Sequence, residues 1–236
     1  MANAITKHIP NTITCLNLLS GTFAIIFAYE GNFLIASALI ILGAVFDFFD
    51  GMSARLLKAY SPMGKEMDSL ADMVTFGVAP AMMVFSIMKT LVPDDYSLSL
   101  QQVLPYSAFL LVPFSALRLA KFNIDERQTS SFIGLPTPAN ALFWIGLCIG
   151  LANGTTSSLL GNFWIIFGLV IVFSYLLIAE IPMFSLKFKN LNFGENKLRY
   201  IFIIIAISIL ALLKTDGISA VIGVYIILSL ITQREK

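Results

Sequence analysis

Charged side chains are scarce in this chain. Asp, Glu, Lys and Arg make up 12% of its 236 residues, about half the share usual in a soluble domain. With a mean hydropathy of +0.86, that scarcity excludes a water-soluble globular class and points to an integral membrane protein. Cysteine is nearly absent. Cys15 and Cys148 each fall inside an apolar run, so they are expected as buried reduced thiols, and no disulfide framework is possible beyond one bridge. His8 is the only histidine, expected at the membrane interface, which excludes a histidine-built metal centre. No Gly/Ser linker or low-complexity stretch divides the chain, so residues 1–236 are expected to form one membrane-embedded unit. The first apolar run lacks a small-x-small cleavage site and is read as a span, not as a signal peptide.

What is present in quantity is apolar length. Twenty phenylalanines are spread along the chain, and a crossing helix needs about 20 mainly apolar residues. Eight such runs are expected, at roughly 12–29, 33–57, 70–91, 104–121, 137–153, 161–185, 199–213 and 217–232. The last two are separated by Asp216-Gly217, a turn signal, and read as a hairpin following a core of about residues 1–190. Eight crossings place both termini on one side. All but Lys89 and Lys214 of the fifteen Lys and Arg then fall on that side. Positive charge marks the cytoplasmic side, so the expectation is a cytoplasmic (inner) membrane protein with both termini in the cytoplasm.

Against that background four carboxylates stand out in "AVFDFFDGMSARLLKAYSPMGKEMDSLADM". Asp47 and Asp50, three apart, share one helix face; Asp68 and Asp72, four apart, share another. A short loop between the two runs, about ten residues long, makes them antiparallel neighbours, so both pairs converge. An aspartate at the bilayer centre costs about 2.5–3.5 kcal/mol, less near the interface, and four together repel one another. Their stable state needs cations. Several aspartate oxygens suit Mg²⁺ or Mn²⁺, which keep positions for water and substrate phosphate. The bland alternative, ion pairs with Arg55, Lys58 and Lys65, is disfavoured because Asp47 and Asp50 point back into the helix. The intervening residues fit a phosphate-bearing ligand. Gly51 and Ala54 leave room for it against the backbone, Arg55 offers a planar fork, and Gly64 permits a tight return.

The whole pattern, Asp47-x2-Asp50-Gly51-x2-Ala54-Arg55-x8-Gly64-x3-Asp68-x3-Asp72, resembles the signature of the CDP-alcohol phosphatidyltransferases at every position. The resemblance implies an all-α membrane enzyme with a six-helix core that moves a phosphatidyl group from a CDP-linked lipid to an alcohol and releases CMP. It implies that Asp47, Asp50 and Asp68 ligate metal, with two Mg²⁺ or Mn²⁺ ions expected. Asp72 would complete the second metal site or act as general base. Gly51, Ala54, Arg55 and Gly64 would line the CDP pocket, and a homodimer is expected.

The acceptor has to be read from elsewhere. Arg118 and Lys121, three apart at a helix end, serve either as positive-inside anchors or as ligands for the lipid phosphate or the acceptor's carboxylate. Together with Phe122-Asn123 and the loop Phe132-Ile133-Gly134-Leu135-Pro136-Thr137-Pro138, they resemble the serine-accepting branch of the family. That branch is also similar in its C-terminal hairpin and in Pro10-Asn11-x2-Thr14-x2-Asn17. By this resemblance Asn11 and Thr14 approach the nucleotide, although Thr14 and Asn17 equally suit capping and interhelical hydrogen bonds. The substrates implied are CDP-diacylglycerol and L-serine, within membrane lipid and without nucleic acid. Rival acceptors are glycerol 3-phosphate, inositol or inositol phosphate, and a phosphorylated one would call for more basic residues than Arg118, Lys121 and Arg127. An Asp-rich prenyltransferase would keep its aspartate motifs far apart, and a transporter would show a second polar half. Glu180, near the end of the sixth run, is explained by a pair with Lys187 or by the interface and is left outside the expected site.

Overall fold

In hydrocarbon every backbone polar group needs a partner inside its own segment, so long apolar runs separated by short turns become helices. The structure, a computed structural model, describes residues 8–125, 127, 132–156, 159–186 and 193–233. Helices α1 (Ile9–Tyr29) and α2 (Phe33–Leu56) form the first hairpin. Gly31 makes its turn at φ +80°, and Asn32 caps α2 by accepting from the Ile35 N–H at 3.3 Å. Only Leu57 to Ser61 separate α2 from α3 (Pro62–Asp72). Ser61 Oγ accepts from the Gly64 N–H at 2.9 Å and Pro62 opens the helix. The third helix thus starts eight residues before the expected 70, because Ser61-Pro62 is a start signal that an apolar count passes over.

Beyond Asp72 the helix widens into a π turn, Met73–Val78, and continues as α4 (Ala79–Leu91). The cause is Pro80, whose ring would clash with the Phe76 carbonyl in a regular α-helix. The widened turn instead lets the Ala79 N–H reach the Val74 carbonyl. Then come α5 (Leu98–Val103), a 3₁₀ turn (Leu104–Leu110) and α6 (Leu111–Ile124). Strand β1 (Phe132–Ile133) precedes α7 (Thr137–Ala152) and α8 (Phe163–Ile178). Strand β2 (Pro182–Met183) leads to α9 (Phe193–Leu213), a 3₁₀ turn (Lys214–Asp216) and α10 (Gly217–Gln233). The two strands pair antiparallel, Phe132 with Met183 and Ile133 with Pro182.

The all-α membrane architecture is as expected, this small ladder apart. Helical stretches Ile9–Tyr29, Phe33–Leu56, Pro62–Leu91, Leu98–Ile124 and Asn196–Thr232 are long and apolar enough to cross a membrane. Helices α7 and α8 are apolar but shorter, each about 24 Å against a hydrocarbon core of about 30 Å. The sixth run ends at Ile178, not 185, since Ala179 turns extended and Pro182 cannot continue a helix.

Close packing fixes the elements that carry the aspartates. A Cβ on Gly21 would come within 2.7 Å of Thr75 Cα, and one on Gly43 within 2.5 Å of Thr75 Cγ2. The two glycines therefore let α1 and α2 close around the π turn, the small-residue contact typical of membrane helices. Thr75 Oγ1 also donates to the Asn17 carbonyl at 3.1 Å. The interior behind this contact is filled by α4, α7 and α8, where the Phe143 and Phe173 rings stack 3.9 Å apart beside buried Trp144. Helix α10 packs on α7, with Ser219 Oγ donating to the Phe143 carbonyl at 2.7 Å. Cys148 is buried as expected, but Cys15 is exposed on the outer face of α1; both are free thiols.

Candidate active site

Helix geometry brings the carboxylates together. Ligand oxygens of Asp47 and Asp50 from α2 and of Asp68 from α3 lie within 4.8 Å of one another. Asp50 is buried, and Asp47, Asp68 and Asp72 are half-buried. Helix α1 supplies their neutral partners. Thr14 Oγ1 donates to Asp50 Oδ2 at 2.6 Å, and Asn17 Nδ2 donates to Asp72 Oδ1 at 3.1 Å. For Thr14 and Asn17 the interhelical hydrogen bonds weighed from the sequence are therefore present. Asp72 stands one turn deeper than Asp68, held by Asn17.

Among the described residues no Lys or Arg forms an ion pair with any of the four. Asp68 Oδ1 is buried without a hydrogen-bond partner. Clustered carboxylates with an orphaned oxygen and no ion pair among the described residues fit a divalent cation with oxygen ligands, the hard-donor set of Mg²⁺ or Mn²⁺. The aspartate cluster can thus hold a metal ion.

Beside the cluster opens a cavity of about 460 Å³ between α1, the end of α2 and the start of α3. Of the residues expected around a nucleotide, Asn11, Thr14, Gly51, Ala54 and Gly64 line it, together with Asp50 and Asp68. A Cβ on Gly51 would meet open space, so the room there belongs to the cavity. Gly64 acts differently from the expected tight return. It sits in the first turn of α3, and a Cβ would press within 3.1 Å of Asn11 Oδ1 and Ser61 Oγ. Arg55 is exposed and is not among the lining residues. At about 100° per residue it lies about 140° around α2 from Asp50. Tyr60 and Lys65, which sequence reasoning did not select, do line the cavity. Phe48 and Phe49 face outward, and Phe48 borders an apolar groove of about 430 Å³ between α2 and α7.

A second cavity, about 290 Å³, lies between the end of α6 and the end of α8. Arg118 and Lys121 line it with Asp125, Arg127 and Glu180. Arg118 is buried at 4% exposure, its Nε has no partner, and its guanidinium carbon lies 4.8 Å from the Phe122 ring centroid. Lys121 Nζ donates to the Ile178 carbonyl at 3.3 Å. Arg127 donates from Nε and Nη2 to the two oxygens of Asp125, each at 2.9 Å. Those hydrogen bonds hold the Arg127 guanidinium above its ordinary range, a permanent cation. Helices α3 and α6, which each line one cavity, are tied together, since Asn123 Nδ2 donates to Ser69 Oγ at 2.7 Å and Lys65 Nζ donates to the Asn123 carbonyl at 2.7 Å.

The loop Phe132–Pro138 serves as a brace. The Gly134 N–H donates to the Ile181 carbonyl and the Leu135 N–H to the Leu176 carbonyl, both at 2.9 Å. Gly134 needs its glycine twice, for φ +78° and because a Cβ would fall 2.6 Å from the Leu177 carbonyl oxygen. Glu180 is neither helical nor buried, as its place in the sixth run had suggested. It follows α8 with its side chain 68% exposed and Oε1 4.0 Å from Arg127 Nη2. Lys187, its expected partner, lies outside the described residues.

Residues 7–176 match the CDP-alcohol phosphatidyltransferase family. The CDP-diacylglycerol–serine O-phosphatidyltransferase of Bacillus subtilis is 38% identical over 154 residues, 65% of this chain and 80% of that protein. The proteins of that name from Helicobacter pylori and Mycobacterium tuberculosis are 30% identical over 230 residues and 34% over 231. These matches cover 94% and 93% of this chain, and 89% and 72% of those proteins. With a family match across more than half its length and an aspartate cluster at a membrane-helix mouth, the chain belongs to the CDP-alcohol phosphatidyltransferase family.

Proposed function

We propose that this protein transfers the phosphatidyl group of CDP-diacylglycerol to the hydroxyl of L-serine, giving phosphatidylserine and CMP. The observation that carries the reading is the set of three carboxylates within 4.8 Å at the edge of a cavity in an otherwise apolar bundle. Asp47, Asp50 and Asp68 would hold divalent metal, Mg²⁺ or Mn²⁺, and Asp72 would either complete a second ion's site or act as general base. Bound there, such ions neutralise the pyrophosphate and the departing CMP. Thr14 orients Asp50, and Asn17 orients Asp72. Asn11, Thr14, Gly51, Ala54 and Gly64 accommodate the nucleotide, while Arg55, turned away from Asp50 on α2, stays outside the cavity lining. Arg118 and Lys121 supply positive charge for the acceptor's carboxylate or the lipid phosphate. The groove beside Phe48 suits an acyl chain.

The bond changes balance as one displacement. The serine oxygen forms a bond to the phosphatidyl phosphorus, the bond from that phosphorus to the CMP oxygen breaks, and the hydroxyl proton passes to the Asp72 carboxylate. The reaction is placed at the cytoplasmic face of the inner membrane, with both termini on that side, in a homodimer. The supports are the one-sided Lys and Arg distribution and the family resemblance.

The test is CMP release from CDP-diacylglycerol with Mg²⁺ or Mn²⁺, offering serine, glycerol 3-phosphate, inositol and inositol phosphate in turn. Release that depends on serine alone is expected. Release driven only by another acceptor, or independent of serine, overturns the reading.

A further inference from the structure

The second cavity is lined by charges of both signs. Arg118 and Lys121 come from α6, and Glu180 comes from the segment after α8. At about 290 Å³ the cavity is at the small end of the range for ligand sites, a size for a solute of a few heavy atoms. On its basic wall, Arg118 is buried with an unpartnered Nε, a donor that an anion would satisfy. Two carboxylates face these cations, and they differ. Asp125 is already engaged by Arg127 through two hydrogen bonds of 2.9 Å. Glu180 stands 4.0 Å from the same guanidinium, beyond hydrogen-bond reach, with its side chain largely exposed. Its backbone is nevertheless fixed. The Gly134 N–H bonds to the Ile181 carbonyl, and Pro182 pairs with Ile133.

We infer that Glu180 reads the ammonium group of a zwitterionic acceptor whose carboxylate is held by Arg118 and Lys121 in this second cavity. The assignment rests on the serine reading above and gives it a selectivity device. An α-amino acid places its ammonium and carboxylate on one carbon, which matches a small site with opposed charges. An acceptor lacking the ammonium leaves Glu180 with only its 4.0 Å ion pair to Arg127. A phosphorylated acceptor brings further negative charge towards it, which like-charge repulsion opposes.

The experiment compares serine with 3-hydroxypropionate, which keeps the hydroxyl and carboxylate but has no ammonium, in wild type and Glu180→Gln. In wild type, serine is expected to be strongly preferred. In Glu180→Gln the KM for serine is expected to rise about ten- to a hundredfold, the loss of one charge-assisted contact. The KM values for 3-hydroxypropionate and CDP-diacylglycerol should change little, so the preference collapses. Glu180→Asp, which keeps the charge, is expected to recover most of the preference. Because the Glu180 side chain is exposed, neither substitution disturbs packing. A serine to 3-hydroxypropionate ratio unchanged within about twofold in Glu180→Gln, with wild type active on serine, overturns the assignment alone. Absence of serine-dependent release in wild type removes the serine reading itself.

Discussion

The cavity at the aspartates and the cavity at Arg118 are tied together through Asn123, yet they are built differently. The first is made by the start of α1, the end of α2, the short turn after it and the start of α3. Its carboxylates are set by helical spacing, and the helices that carry them are packed by glycine contacts with Thr75. The second is made by the ends of α6 and α8, the segments that follow them, and a loop pinned beside α8 by backbone hydrogen bonds. The C-terminal hairpin braces it from behind, since the Tyr225 hydroxyl donates to the Phe184 carbonyl at 3.0 Å. Helix interiors hold a fixed charge geometry for the phosphate chemistry that the family shares. Helix ends and loops are the parts that can differ without disturbing it, and the acceptor differs among such enzymes.

That division is open to attack from the first cavity. Asp72→Asn keeps the hydrogen-bonding shape beside Asn17 but cannot take a proton, so turnover is expected to fall by about 10²–10⁴-fold. Binding of CDP-diacylglycerol, measured separately, should be largely retained. Undiminished CMP release would remove Asp72 from the role of base.

The next effect is structural. Gly43→Ala places a methyl 2.5 Å from Thr75 Cγ2 and 2.9 Å from Asn17 Oδ1, so it strains the seam that holds Asp72. Overpacking of this kind costs about 1–3 kcal/mol, visible as a lower Tm in detergent together with reduced turnover. Thr75→Ser removes the clashing methyl. The double variant should therefore recover part of the loss, a coupling that two independent defects would not show.

Gly134→Ala asks the same question of the second cavity. The new methyl meets the Leu177 carbonyl oxygen, and φ +78° is unfavourable for alanine. The brace should loosen, raising the KM for serine several-fold while the KM for CDP-diacylglycerol holds. Equal changes in both constants would mean that the two cavities are not separately built.

How much of this was legible in the sequence follows the same line. Helical spacing put Asp47 and Asp50 on one face, and the short loop to the next run brought Asp68 to them, because helix phase and turn length are local information. The same phase puts Arg55 away from Asp50, which a residue-by-residue count of angles would have shown. The start of α3 was also written locally, in Ser61-Pro62-x-Gly64, yet the apolar average masked it. The second cavity was not legible in this way. Glu180 gains its position from the pairing of Ile133 with Pro182, a contact between distant parts of the chain with no periodic signature. Tyr60 belongs to the turn between α2 and α3, whose path depends on backbone dihedrals rather than on any hydrophobic pattern, and Lys65 stands in the first turn of α3 that follows it.

Lys58 shows how far such a turn can be adjusted without touching the chemistry. It adopts φ +50°, the left-handed conformation that closes α2 after Leu56. The Ala59 N–H bonds back to the Ala54 carbonyl at 3.0 Å. A lysine there carries a steric penalty of about 1–2 kcal/mol, which glycine lacks. Glycine in turn loses about 0.5–1 kcal/mol more conformational entropy on folding. Lys58→Gly is therefore expected to stabilise the protein by a few tenths of a kcal/mol up to about 1 kcal/mol. Thermal unfolding in detergent would read this as a small rise in Tm. The KM for CDP-diacylglycerol should stay put, since Lys58 does not line the cavity. A fall in Tm would mean that the lysine side chain holds the turn by contacts that outweigh its backbone strain.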